Sequence, residues 1–221
     1  IRMRPRRSTP KLKIDRHCYE GRTYEDFMRF IADNPDVPVV QMDSVIGNKS
    51  RKVLLTMFAQ NSNLLLAFRR NHNTDRSGVN VFNDLYAMFG RETYCRLFPV
   101  ILTDRGSEFS NPVPIEQDEN DELRSLVFYC NPSAPYQKGG IEVAHELVRR
   151  VLPKGKSFDD LQQEDIDLML SHINSYKRGK LNSRSAYQLF NFIYGDDILP
   201  KLNIREIEAN DIVLSPKLLK K

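Results

Sequence analysis

Apolar residues crowd three neighbouring stretches near the start of the chain. Residues 37–46, 52–59 and 64–69 are rich in Val, Leu, Ile, Met and Phe, and Gly47-Asn48-Lys49-Ser50 and Gln60-Asn61-Ser62-Asn63 separate them. Turn formers at both breaks predict three strands in an antiparallel meander. Ahead of it, Thr23 is placed to cap a helix that runs to Ala32, with Phe27, Phe30 and Ile31 on one side and Pro35 past its end. Behind it, Asn73 or Thr74 starts a helix to about Phe89. Val79, Val81, Phe82, Leu85, Met88 and Phe89 form its apolar face, Gly90 stops it, and a short helix covers 92–97.

Two shorter apolar runs, 100–103 and 126–130, read as buried strands. Residues 105–122 between them read as loop, with the acidic run 116–122 in solvent. Residues 132–140 read as a mobile connection into a helix over 141–152. Two more helices are expected over 158–175 and 183–194, joined at Lys177-Arg178-Gly179-Lys180. This order of elements predicts an α/β fold, a mixed sheet with helices packed on it.

Composition narrows the class. The chain has 221 residues, 40% hydrophobic and 28% charged, enough to bury a core. No apolar stretch approaches a membrane span, and no signal-peptide pattern opens the chain. It starts at Ile1 rather than Met, which suggests a fragment of something longer. Cys18, Cys95 and Cys130 are scattered and fit a reducing compartment. His17 and Cys18 have no partner pair at zinc-finger spacing, so no zinc site is expected. The net charge is +4, unevenly placed. Arg2, Arg4, Arg6, Arg7, Lys11, Lys13, Arg16 and Arg22 are opposed only by Asp15 and Glu20, and Pro5 and Pro10 keep this arm extended. Such an arm is either a phosphate-neutralising segment or a solvated tail.

Three acids carry the candidate chemistry. Asp43 lies inside an apolar strand, Asp104 ends another, and Glu142 opens a helix after Gly139-Gly140. A carboxylate in apolar surroundings is costly unless a metal or a partner compensates its charge. Oxygen-only ligands suit Mg²⁺ or Mn²⁺, and paired ions can activate water at a phosphodiester. Singly, each acid has an ordinary reading: a strand-edge aspartate, a turn aspartate in Asp-Arg-Gly, and a first-turn glutamate favoured by the helix dipole. Glu108 is a second carboxylate near Asp104, and His145 lies one turn from Glu142 on the same helix face.

Three blocks in this order resemble one known pattern. They are Gln41-Met42-Asp43-Ser44-Val45-Ile46-Gly47, Leu102-Thr103-Asp104-Arg105-Gly106-Ser107-Glu108-Phe109, and Tyr129-Cys130-Asn131-Pro132-Ser133-Ala134-Pro135-Tyr136-Gln137-Lys138-Gly139-Gly140-Ile141-Glu142, followed by Leu152-Pro153-Lys154-Gly155. Together they resemble the catalytic part of a DDE transposase of the retroviral-integrase superfamily, closest to bacterial insertion-sequence transposases of the IS-thirty family. The resemblance covers roughly residues 36–195. It implies an RNase H-like mixed five-stranded sheet flanked by helices. It also implies a basic N-terminal arm and lead-in helix over 1–35, a catalytic core over 36–155, and C-terminal helices with a basic tail over 156–221.

The resemblance further implies that Asp43, Asp104 and Glu142 are both catalytic residues and metal ligands, for Mg²⁺ with Mn²⁺ as a substitute. The 37 residues between the last two suit the pattern. It implies hydrolysis at an element end, then strand transfer by the freed 3′-hydroxyl. The partner is double-stranded DNA, both terminal inverted repeats and target, bound by a homodimer or larger homo-oligomer in a bacterial cytoplasm, near the nucleoid. The candidate DNA contacts are Arg4, Arg6, Arg7, Lys11 and Lys13 of the arm, Tyr136, Gln137 and Lys138 before the last helix, and Arg149 and Arg150 within it. Where retroviral relatives carry two lysines after the glutamate, this chain has Glu146 and Arg149. Alternatives are an inactive DNA-binding or regulatory protein with the same fold, and an RNase H-like nuclease that cuts without joining.

The arm yields a direct test. Deleting residues 1–16 is expected to weaken binding to unrelated duplexes alike and to flatten the log–log salt dependence by about 0.9 for each phosphate that is no longer neutralised. Fluorescence anisotropy from low to moderate salt measures the slope; an unchanged slope identifies a solvated tail.

Overall fold

A computed structural model describes residues 16–219. The chain enters through a 3-10 turn at Arg16–Tyr19 and then α1, Tyr24–Asp33. That turn replaces the extended chain expected up to residue 21. Thr23 caps α1 as its position predicts. Its hydroxyl accepts the Asp26 N–H at 3.1 Å, and the Asp26 carboxylate accepts the Thr23 N–H at 2.9 Å.

The meander follows as β1 (Val39–Ile46), β2 (Val53–Ala59) and β3 (Leu64–Arg70), antiparallel throughout. Next comes α2, Asp75–Leu97, capped by Thr74. Gly90 interrupts it at φ +72°, a left-handed conformation that glycine adopts without steric cost, so the expected break is real and helix resumes beyond it. Then come β4 (Val100–Thr103), α3 (Val113–Glu116), β5 (Leu126–Tyr129) and α4 (Gly139–Val151). The five strands form one sheet in the order β3-β2-β1-β4-β5, with β4 and β5 parallel to β1.

Both faces of the sheet are covered, so its strands read as continuous apolar runs. On one face Phe27 and Phe30 of α1 meet Phe128 of β5, each with ring centroids 5.7 Å apart. α4 packs on the same face over β1 and β2. α2 covers the other face, where Tyr94 and Phe98 join Val40, Met42 and Ile101 in the main core.

The rest of the chain closes the far edge of the sheet. α5 (Gln163–Ser175) lies along β3, followed by a two-residue-stranded hairpin, β6 (Lys177–Arg178) and β7 (Arg184–Ser185), then α6 (Ala186–Tyr194) and α7 (Ile198–Lys201). Side-chain amides stand in for a missing neighbour strand. Asn174 accepts from Leu65 N at 2.9 Å and donates to Leu65 O at 2.8 Å, while Gln163 accepts from Arg69 N at 2.8 Å and donates to Ala67 O at 3.0 Å. An open edge is thereby blunted.

Some expectations need correction. The helix expected from 158 begins at Gln163, because Phe158 is buried against Gly47 instead. The helix expected from 183 begins at Ala186, where Ser185 caps it. The acidic run does not lie wholly in solvent. Glu116 ends α3 and is buried, taking a two-point ion pair from Arg22 (Nε–Oε1 2.9 Å, Nη2–Oε2 2.6 Å) and the Val127 N–H at 3.0 Å. Arg22 is therefore committed to the fold and is not a phosphate-binding cation of the arm. Arg4, Arg6, Arg7, Lys11 and Lys13 lie outside the described residues.

The seating of α4 gives a stability prediction. A Cβ at Gly140 meets Phe58 Cε1 at 2.5 Å and Gln41 Oε1 at 3.0 Å, whereas one at Gly139 meets nothing within 4 Å. Gly140→Ala is expected to cost about 1–3 kcal/mol by overpacking, and Gly139→Ala to be neutral or stabilising by up to about 1 kcal/mol. Urea unfolding of the two variants checks this; equal stabilities would refute the close approach.

Candidate active site

The parallel register pairs Gln41 with Leu102. Two residues further on, Asp43 stands level with Asp104, the first residue past β4. Alternation along the strands puts both on the face that carries α1 and α4. Gln41 fixes the start of α4 by accepting the Ile141 N–H at 2.8 Å. Glu142, in that first turn, faces the same open cavity as the two aspartates. The cavity measures about 390 Å³ and is also lined by Arg105, Cys130 and Lys138. The three sequence-predicted acids thus line one site.

Each aspartate has one oxygen tied to the backbone. Asp43 Oδ1 accepts Ser44 N–H at 2.8 Å, and Asp104 Oδ1 accepts Gly106 N–H at 3.0 Å. Their Oδ2 atoms face the Lys138 ammonium at 3.5 and 3.6 Å. Burial raises the Asp43 pKa; Lys138 opposes this, and the charges of Asp104 and Glu142 reinforce it. Cys130 is no nucleophile here, since burial pushes its thiol up to about 11 and keeps it protonated near neutrality.

The donors suit a hard divalent ion. Carboxylate oxygens are what Mg²⁺ and Mn²⁺ take, and the gap between Asp43 and Asp104 already attracts a cation, the lysine ammonium. Among the described residues no three His, Cys, Asp or Glu are arranged to hold a metal ion as they stand. The set fits in chemistry and charge, and it is not closed around one point.

The remaining candidates separate. Residues 132–140, expected as a mobile surface connection, contain a 3-10 turn at Pro135–Lys138 that buries Gln137 and Lys138. Gln137 Oε1 accepts the Asn131 N–H at 2.7 Å, so neither residue faces outward as a loop contact. Tyr136 does, at 79% exposure. Arg149 is half-buried and Arg150 exposed on the last turn of α4. Glu108 is not in the cavity lining; it accepts from Asn73 Nδ2 at 3.1 Å.

Sequence reasoning missed Arg70. Buried at the end of β3, it donates through Nη2 to Ser44 Oγ at 2.8 Å and to Asn73 Oδ1 at 2.7 Å, joining the neighbour of Asp43 to the Asn73–Glu108 pair. A charged residue closing an otherwise apolar strand was the available signal. Arg105 is also held in place. Its Nε donates to Cys130 O at 3.2 Å, and its guanidinium lies 4.9 Å from the Tyr19 ring centroid.

His145 has a fixed role. The Thr56 hydroxyl donates to Asp43 O at 3.0 Å, which uses its only proton. The 2.8 Å contact from His145 Nε2 to the same hydroxyl is therefore donated by the imidazole. Burial, Lys138 and Arg149 lower its pKa from 6.5 to about 4, so it is neutral. The folded state refuses a proton that the unfolded chain accepts. Its contribution to stability is complete above 6.5 and is lost as pH falls toward about 4. Relative to His145→Gln, the wild type is expected to lose on the order of 3 kcal/mol across that range. Urea titrations at stepped pH check this; a pH-independent difference would show a freely titrating imidazole.

Comparison with known proteins adds sequence and fold relatives. No protein-family model matches the chain. The ORF3 protein of Spiroplasma virus SpV1-R8A2 B, provisionally named an integrase, is 28% identical over 151 residues, which is 68% of this chain and 45% of that protein. The transposase for insertion sequence element IS1086 of Cupriavidus metallidurans is 35% identical over 63 residues, 28% of this chain and 19% of that protein. The chain thus spans less than half the length of these relatives. In structure, it is similar to a chain of the simian T-cell lymphotropic virus intasome, solved in complex with PP2A regulatory subunit B56 gamma. The TM-score is 0.51 with 17% identity, over 78% of this chain and 58% of that one. The chain is therefore similar in sequence to a protein provisionally named an integrase and to an insertion-sequence transposase, and its fold is an RNase H-like mixed five-stranded sheet flanked by helices.

Proposed function

We propose that this chain is the catalytic part of a DDE-type DNA transposase or integrase, of the IS-thirty kind, that cuts a phosphodiester at an element end and joins the freed 3′-hydroxyl to another strand. The observation that carries this reading is the level placement of Asp43 and Asp104 on adjacent parallel strands, with Glu142 on the same cavity. The integrase and transposase relatives support it.

Asp43, Asp104 and Glu142 would hold Mg²⁺ or Mn²⁺, which when bound lowers the pKa of water and stabilises charge on the leaving oxygen. The chain's own residues supply the setting. The backbone N–H groups of Ser44 and Gly106 orient the aspartates and leave one oxygen of each facing the cavity. In the first step a water oxygen bonds to phosphorus as the bond to the 3′ oxygen breaks, and that oxygen leaves with a proton. In the second the freed 3′ oxygen bonds to the phosphorus of another phosphodiester as that phosphorus loses its own 3′ oxygen, which leaves with the proton given up by the attacking hydroxyl. No protein–DNA bond forms, which agrees with a protonated Cys130.

The DNA approaches over the open side of the cavity. Arg105, held by Tyr19 and Cys130 O, is placed for a phosphate. Exposed Tyr136 offers a ring to an unpaired base, and Arg149 and Arg150 extend the path along α4.

Asp43→Asn, Asp104→Asn and Glu142→Gln are each expected to lower cleavage and joining of a labelled element-end duplex by roughly 10²-fold or more, with circular dichroism unchanged. Retention of near-full activity by any of them removes that residue from the site. Cleavage without joined products favours a plain nuclease, and no cleavage by the wild type with Mg²⁺ or Mn²⁺ favours a regulatory protein.

A further inference from the structure

Lys138 is a buried cation at the acidic site. Its side chain is only 4% exposed, and lysine is almost never buried to that extent without a partner. Its ammonium donates a hydrogen bond to Met42 O at 3.1 Å and forms ion pairs with Asp43 Oδ2 at 3.5 Å and Asp104 Oδ2 at 3.6 Å. The two Oδ1 atoms are already spent on Ser44 and Gly106 N–H groups. The ammonium thus sits on the oxygens left free for any other cation.

Without that ammonium, the largely buried Asp43 and the half-exposed Asp104 would face one cavity with Arg105 as the other cation in its lining. Uncompensated buried charge is among the costliest defects in a fold. The ammonium is also tethered, because Gly139 and Gly140 follow it directly and begin the helix that carries Glu142. Whatever moves Lys138 acts on the segment that leads into Glu142.

We propose that Lys138 is a built-in counter-cation of the acidic site, which holds Asp43 and Asp104 together when no divalent ion is present and competes with a divalent ion for their Oδ2 atoms. This rests on the metal-binding reading of the three acids. It makes Lys138 a positioning residue that sets the divalent concentration at which the site fills. It also replaces the expectation that Lys138 is a DNA contact.

The test uses the full chain with Mn²⁺ as the probe and Lys138→Met as the variant. Two readouts other than activity apply: melting temperature in EDTA, and Mn²⁺ affinity by electron paramagnetic resonance. In EDTA, Lys138→Met is expected to melt below the wild type, and Asp43→Asn/Lys138→Met to regain part of that loss by removing one of the two opposed charges. The Mn²⁺ affinity of the single variant Lys138→Met is expected to be at least about tenfold tighter than that of the wild type, equivalent to about 1.4 kcal/mol. Equal or weaker Mn²⁺ binding by Lys138→Met overturns the competition while leaving the metal reading intact. Absence of Mn²⁺ binding by both proteins overturns the metal reading and the competition with it. If Lys138→Met does not fold in EDTA, the double variant decides. Recovery of the fold supports charge compensation, and failure of both to fold shows a packing role and overturns the proposal.

Discussion

The structure turns on two carboxylates that stand side by side where parallel β1 and β4 run level. Parallel register, not sequence distance, brings Asp43 and Asp104 together, since 60 residues of meander and helix separate them. Burial raises the cost of ionising Asp43, and the charge of Asp104 adds to it. The surroundings answer with fixed dipoles and one cation. The N–H groups of Ser44 and Gly106 take one oxygen each, and the Lys138 ammonium takes the others. Other features of the site follow from keeping that pair in place.

Helix α4 is the second half of that arrangement. It can bring Glu142 to the cavity only by lying close on the sheet, and Gly140 permits the approach over Phe58. Gln41, two residues before Asp43 and on the same face, caps the first turn of α4 from within the core. One strand therefore supplies both a site acid and the anchor for the helix bearing another. The neutral imidazole of His145, bonded through Thr56 to the Asp43 carbonyl, is a second tie between the same two elements. The close packing of such elements is what allows a site to keep its geometry before a ligand arrives.

Much of this was legible in the sequence because it is local. Thr23 and Thr74 announce helix starts, the polar breaks announce the meander, and Gly90 announces an interruption that the backbone realises with a positive φ. The three acids could be named because Asp43 interrupts an apolar strand, Asp104 ends another and Glu142 opens a helix, in three blocks that together resemble a known pattern. What could not be read depends on partners distant in the chain. Glu116 looks like one more solvated acid until Arg22, 94 residues earlier, is found clasping it. Lys138 looks like a loop cation until Asp43 and Asp104 are placed on either side of it. Arg70 looks like the end of a strand until Ser44 and Asn73 are found beneath it. Charged residues mislead in one direction: composition assigns them to water, and only topology shows which are kept.

Charge is also ordered from the inside of the cavity outward. The acids and their single ammonium form the floor. Arg105 stands at the side, stiffened by the Tyr19 ring and a carbonyl, so its remaining N–H groups face one way at little entropic cost. Arg149 and Arg150 lie two turns along α4 from Glu142. A polyanion drawn to the outer cations is thus led toward a floor that repels it unless positive charge is added there. That opposition separates holding a phosphodiester from reacting with it. On the proposed function the outer arginines would hold nucleic acid at any time, whereas the inner acids would accept a phosphate only once further cationic charge had entered. On that proposal chemistry is coupled to occupancy of the floor, and Lys138, whose ammonium already lies there, is its point of control.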